Sequence, residues 1–254
     1  MAELKYERNQ TRNALTRYLH RFRFRALTQL VEAAAKETEG PVRILDIGCG
    51  PGTAALALEG LDIDYLGLEI HEPFLERAMA KANRPEIRYL KQDVTDPSFD
   101  FTGFDIICAL ETFEHIGESR VVRVIERIAR ARPRHLLVTV PIEIGPSVAI
   151  KNFGARLFGY DRRSGNLRQT LLAASYQLNR LPPHGLYHLG FNWIWLEQTL
   201  RHNFQIEQTR SLPLGWIPKW LAPTVMFRCS PYPIALEREA AALGLREHPH
   251  VEVD

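Results

Sequence analysis

The sequence predicts an α/β protein: a doubly wound sheet of about seven strands, mostly parallel with an antiparallel last strand, preceded by an N-terminal helix and carrying a helical cap insertion. Three observations predict it. An apolar run, Val42–Ile47, stops on three alternate glycines, Gly48, Gly50 and Gly52, and restarts as a helix-like pattern at Thr53. Strand-like and helix-like periods then alternate as far as Pro141, as they do when crossover helices join parallel strands. Acids stand at the ends of the first three strands, Asp46, Glu69 and Asp93, at the edge where such sheets bind ligands.

The elements follow in order. Residues 10–38 read as helix, broken once. Leu15, Leu19, Phe22 and Leu30 keep a period near 3.6, while Arg17, Arg21 and Arg25 form a second stripe, and Gly40-Pro41 ends the pattern. Residues 1–40 are thus expected to form an N-terminal helical lid on a domain spanning 41–254. Strand β1 is Val42–Ile47, and a helix follows to about Glu59. Strand β2 is Asp64–Glu69, its acid 23 residues after Asp46, as one βαβ unit requires. Pro73 opens a helix that runs to Ala82. Strand β3 is Glu86–Lys91 and β4 is Phe104–Ala109. An amphipathic helix, Glu118–Arg132, turns Val121, Val122, Ile125 and Ile128 inward, and β5 is Arg134–Pro141. Phe191–Leu200 reads as helix, and Phe204–Leu212 (β6) and Thr224–Cys229 (β7) as a final antiparallel hairpin. Residues 142–190 form the cap, and Pro213–Leu221 a second insert. After Leu236 a short helix and a frayed end are expected.

A strand that ends on glycines and resumes as a helix presents bare backbone N–H groups to a ligand. Dinucleotide binders use G-x-G-x-x-G, but Thr53 stands where their third glycine belongs. The run Asp46-Ile47-Gly48-Cys49-Gly50-Pro51-Gly52 instead resembles motif I of the class I S-adenosylmethionine-dependent methyltransferases. Leu110-Glu111-Thr112-Phe113-Glu114-His115-Ile116 resembles the segment after β4 in that family. The resemblance covers about 100 residues, Val42 to Pro141, and thins beyond them. It implies a Rossmann-like sheet and S-adenosylmethionine as cofactor. It further implies a cofactor site made of Asp46, Gly48, Cys49, Gly50 and Gly52, of Glu69 and Ile70, of Gln92, Asp93 and Val94, and of Leu110. A carboxylate at the tip of β2 can accept ribose hydroxyls, which is the role expected of Glu69. The resemblance gives Asp93 the adenine amine; by its residues alone it is equally a turn-forming aspartate before Thr95-Asp96-Pro97.

Methyl transfer to a hydroxyl or amine also requires a proton acceptor, and His115, just after β4, is the candidate base. A packing or capping histidine is the competing reading. His184 and His188 are four apart but lack a cysteine or carboxylate pattern around them, and no metal is expected. Cys49, Cys108 and Cys229 read as small core residues in a reducing, cytoplasmic setting. Net charge is only +2, yet residues 1–25 hold seven Lys/Arg against two Asp/Glu, and residues 151–180 six against one. Phe22, Phe24 and Leu27 lie among the first set, Phe153, Leu157 and Phe158 among the second, and Trp216 and Trp220 in the later insert. The expectation is a small acidic or lipid-like acceptor, with peripheral contact to an anionic membrane; the alternative is that these aromatics are core and the arginines are simply solvated. No D-P-P-Y or N-P-P-Y stretch follows β4 and the cap aromatics form no RNA-reading pattern, so nucleic acid is not the expected substrate. Oligomeric state cannot be read from the chain. Two function classes stand: a small-molecule methyltransferase, and a catalytically silent cofactor-binding regulator. A nicotinamide-dependent oxidoreductase is disfavoured by Thr53.

Overall fold

The computed structural model describes residues 14–157, 166–182 and 189–234, with side chains from Arg21 to Gly154 in the first stretch. Tyr160, Phe158, His184, His188, the side chains of Arg17 and Leu157, and the tail after Leu236 lie outside the described residues. The sheet has seven strands in the order β3-β2-β1-β4-β5-β7-β6. Strands β1 (Val42–Ile47), β2 (Ile63–Glu69), β3 (Ile87–Lys91), β4 (Ile106–Leu110) and β5 (His135–Pro141) are parallel. Strand β7 (Thr224–Ser230) is antiparallel to both β5 and β6 (Gln205–Leu212), as expected for a final hairpin.

Side-chain alternation along the strands sorts the core onto two faces. Val42 and Ile44 of β1 face the long first helix, α1 (Ala14–Ala35), and the short α2 (Thr53–Ala57). Leu45 and Ile47 face α4 (Glu118–Ala131) and α7 (Trp193–Asn203). Helix α3 (Glu72–Lys81) buries Leu75 and Ala78. Helix α1 is continuous where the sequence suggested a break. Its inner stripe, Leu27, Leu30, Val31 and Ala34, is buried, and Thr28 Oγ1 donates to Ala57 O at 3.0 Å, pinning it to α2. In α4 the inward positions are Val121, Val124, Ile125 and Ile128; Val124 replaces the expected Val122 because the stripe follows the 3.6 period from Val121. Helix α7 starts at Trp193, two residues later than expected. Asn192 caps it, its side chain accepting from the amides of Ile194 and Trp195 at 3.1 Å each.

Within the cap lie α5 (Pro146–Leu157), α6 (Leu167–Ala174) and a 3₁₀ turn, Leu178–Arg180. Asn152 Nδ2 donates to Thr170 Oγ1 at 2.9 Å, joining α5 to α6. The 213–223 insert abuts α5, because Pro223 O accepts from the Ile142 amide and from Lys151 Nζ. Parallel strands carry all five of their C-termini to one edge, and the cap and the insert rise from that same edge.

Candidate cofactor and acceptor site

At the tip of β1 the chain turns on Gly48, φ +69°. A Cβ there would stand 2.5 Å from Thr112 Cγ2, and Thr112 Oγ1 itself donates to Ile47 O at 2.8 Å, so the turn is closed from the β4 side. Gly52 precedes α2 at φ +74°, and a Cβ on it would meet Tyr89 Oη at 2.6 Å. A Cβ on Gly50 would have nothing within 4 Å; that part of the loop faces open space. Glu69, at the neighbouring tip, fixes the loop: Oε2 accepts from the Gly50 amide at 3.0 Å, and Oε1 from the amides of Ile70 and His71, both at 2.8 Å. Hydrogen bonds to an ionised acceptor are about twice as strong as neutral ones.

Asp46 lies beneath the loop and not on its rim. It is 2% exposed, its Oδ2 accepting from Tyr65 Oη at 2.5 Å and its Oδ1 from Cys108 Sγ at 3.4 Å. Burial pushes its carboxyl up to about 6, against the pull of Tyr65, Cys108 and Arg23. Strand alternation explains this: Asp46 continues the Val42–Ile44 face and must enter the core behind α1. Cys49 is also buried, and burial pushes its thiol, like that of Cys108, far up, which removes thiolate chemistry. Val94 and Leu110 likewise turn their side chains into the core and shape the site from behind. Ile70, in contrast, is exposed beside Glu69. Asp93 is exposed at the tip of β3, where Oδ1 accepts from the Thr95 amide and hydroxyl, both at 2.8 Å. This is the turn-forming reading, and it uses one carboxylate oxygen, Oδ1. Gln92 bridges to Asp93 O and Asp96.

The β4–β5 side is built from charges the sequence did not single out. Glu111 adopts φ +57°, and its Oε2 meets Arg23 Nη1 of α1 at 2.8 Å. Thr224 Oγ1 donates to Glu111 Oε1 at 3.3 Å. Glu143, 2% exposed after β5, pairs with Lys151 of α5 at 2.7 Å. Glu114 is 1% exposed; burial first, then the nearby Glu111 charge, push its carboxyl well above the usual range and so favour its neutral form. His115 ends the 3₁₀ turn Phe113–His115 and is exposed at this rim. The only hint in sequence was Glu111-x-x-Glu114 itself, since nothing local reveals that Arg23 and Lys151 arrive from distant helices.

A family profile described as a methyltransferase domain matches residues 44–132. Residues 44–132 are thus similar to a methyltransferase domain. An uncharacterised methyltransferase of Mycobacterium tuberculosis is 30% identical over 77 residues, 30% of this chain and 39% of its own. The ubiquinone biosynthesis O-methyltransferase of Coxiella burnetii is 28% identical over 141 residues, 55% of this chain and 52% of its own. The chain thus spans about half or less of the length of these curated relatives. The methyltransferase domain of bacterial CtHen1 shares the fold at 17% identity, with a TM-score of 0.57 over 84% of this chain and 99% of that one. So does magnesium protoporphyrin IX methyltransferase from Synechocystis PCC 6803, solved with S-adenosylhomocysteine, at 15% identity and a TM-score of 0.54 over 86% and 88%.

S-adenosylmethionine fits what stands at the tips of β1–β3. Open space over Gly50 admits a ligand, Glu69 Oε2 carries one amide bond and has room for a hydroxyl, and exposed Ile70 offers an apolar surface for a base. Among the described residues no cluster of His, Cys, Asp and Glu is arranged to hold a metal ion. No described helix is long and apolar enough to cross a membrane.

Proposed function

We propose that this chain transfers a methyl group from S-adenosylmethionine to a small-molecule acceptor. The observation that carries the reading is the glycine loop tied by Glu69 to the tip of β2 and open over Gly50, directly beside the charged rim after β4. The cofactor supplies the methyl as an electrophile on a sulfonium. The chain has to align the acceptor with it, exclude water and accept a proton. Glu69 holds the ribose, Asp93 and Gln92 meet the base, and the backbone of 48–50 and 110–111 borders the methionine part. His115 takes the proton of the acceptor hydroxyl or amine at an imidazole nitrogen. The relative named for ubiquinone biosynthesis supports a small-molecule acceptor. The finer reading, an acidic or lipid-like acceptor, rests on the composition of the cap and insert: from Ile144 to Leu196 Asp161 is the sole acid, and from Gln208 to Leu236 there is none.

Calorimetry with S-adenosylhomocysteine tests the site. Glu69→Ala removes an acceptor of charge-assisted bonds, worth roughly 1.5–3 kcal/mol, so affinity drops at least about tenfold. Unchanged affinity in a folded variant overturns the site. His115→Asn keeps cofactor affinity and lowers turnover by about 10²–10⁴; wild-type turnover makes the histidine structural. Tight cofactor binding with no methyl-donor consumption across candidate acceptors identifies a silent regulator instead.

A further inference from the structure

The apolar residues noted in sequence divide sharply. Phe22 and Phe24 of α1 pack against the core, and Leu27 is fully buried there. Arg23 between them is 8% exposed and engaged with Glu111. Among the described side chains of the N-terminal basic segment, Phe22, Arg23 and Phe24 turn to the core and the site, and Arg21 and Arg25 are exposed. The cap and the insert do the reverse. On α5 the outward positions are Pro146, Ile150 and Phe153, an i, i+4, i+7 stripe with Ile150 51% and Phe153 71% exposed. Leu167 and Leu171 stand one turn apart on the outside of α6, each 57% exposed. Trp216 is 80% and Trp220 52% exposed on the insert, with Leu214 and Leu221 beside them. A surface helix normally turns such a stripe inward, and apolar groups collected on one rim mark an interaction face.

We propose that this rim docks on an anionic lipid bilayer. Three contacts join its parts into one face: α5 to α6 through Asn152 and Thr170, the insert to α5 through Lys151 and Pro223 O, and the insert to the end of β5 through the Ile142 amide and Pro223 O. Its charge has one sign. Arg168 of α6, Arg180 and Arg210 are exposed around it, Arg210 lying against Gly215 at the base of the insert, and the acid-free runs from Gln208 and around the cap put no described acid of their own on these segments. Glu197 of α7, which faces the insert, is neutralised by Lys219 at 3.0 Å and Arg201 at 2.7 Å. A protein partner would need a matching apolar surface with acids around it. A bilayer of anionic headgroups over acyl chains provides both layers at once: the indoles of Trp216 and Trp220 sit at the headgroup boundary, Phe153, Ile150, Leu167 and Leu171 enter below it, and the guanidinium groups meet phosphate. The face surrounds the sheet edge where β5 ends and β7 begins, so docking turns the acceptor entrance toward the lipid. That last consequence rests on the proposed methyl transfer; the docking itself does not.

The test uses the full chain and vesicles of phosphatidylcholine with or without phosphatidylglycerol. Co-sedimentation is expected to be at least about tenfold stronger with phosphatidylglycerol and to weaken with salt, and tryptophan emission is expected to shift to the blue on binding. Trp216→Ala/Trp220→Ala and, separately, Phe153→Ser should each lower binding severalfold, while the thermal shift given by S-adenosylhomocysteine stays at the wild-type value and reports an intact fold. Arg168→Ala/Arg210→Ala should remove the preference for anionic vesicles. Equal binding to neutral and anionic vesicles, or variants that bind like wild type, overturns the proposal. So does a concentration-dependent dimer that the double tryptophan variant abolishes, which would give the face to a second copy of the chain. Loss of cofactor binding with vesicle binding retained would count against the methyltransferase reading alone.

Discussion

Between β1 and β3 the site is made largely of backbone. Its contacts are amides of Gly50, Ile70 and His71 gathered on one carboxylate, over a layer of buried tyrosine, cysteine and aspartate. Between β4 and β7 it is made of side-chain charge: Glu111 with Arg23, Glu143 with Lys151, and the buried Glu114 between them, under a cap whose outer surface is apolar. Under the proposed methyl transfer the contrast separates two tasks. A constant cofactor is best met by a rigid backbone cradle, in which side chains would only obstruct. An acceptor that differs among relatives is met by side chains brought in from separate helices, which can change without disturbing the sheet.

The comparison breaks first at the glycines. Gly48→Ala meets both a left-handed backbone and Thr112, costing about 1–2 kcal/mol for the first and about 1–3 kcal/mol for the second. Its unfolding free energy should drop by that sum and S-adenosylhomocysteine binding should be lost. Gly50→Ala meets only the backbone cost, so it should stay folded yet bind the cofactor at least about tenfold more weakly, because the new methyl projects into the open space. Equal loss of stability in the two variants would mean that the loop is strained as a whole rather than closed by Thr112.

On the charged side the expected effects diverge within one cluster. Glu143→Gln removes the charge opposite the largely buried Lys151 and should cost about 3 kcal/mol in denaturant unfolding. Glu114→Gln replaces a carboxyl whose neutral form burial favours with a group of its shape, and should change stability by less than about 1 kcal/mol. A large loss from Glu114→Gln would show that it is ionised and paired.

Asp46 sharpens the comparison by pH. Its folded-state value of about 6 lies above the ordinary carboxylate range, so the folded protein binds its proton more tightly than the unfolded chain. The contribution of Asp46 to stability is therefore greatest below about pH 4, declines as pH rises toward 6, and is flat above, a total on the order of 2–3 kcal/mol. Asp46→Asn keeps an acceptor for Tyr65 and has no titration. The stability of wild type relative to this variant should fall between pH 4 and 6; a difference that does not vary with pH would show that Asp46 titrates alike in both states.

The sheet was legible because its signals are local and repeated. The β1 run, the glycines, the period-2 alternation of β3 and the crossover helices each follow from a few adjacent residues. The glycine loop and Glu69 were legible for the same reason. The face to which Asp46 turns was available in principle from alternation along β1, but the acid's place beside the glycines suggested a ligand first.

What the sequence by itself determined is the cofactor half: residues within one βαβ unit lie close because the chain between them is short, so identity and spacing suffice. The acceptor half was decided by tertiary structure alone. Arg23 and Glu111 are 88 positions apart in the chain, and whether an arginine is solvated or buried against a glutamate depends on how α1 crosses the sheet. The same holds for the aromatics: Phe24 and Phe153 sit in similar basic surroundings in sequence, yet one packs against the core and the other is 71% exposed. Burial is a property of the assembled layers, and no local pattern of charge and ring encodes it.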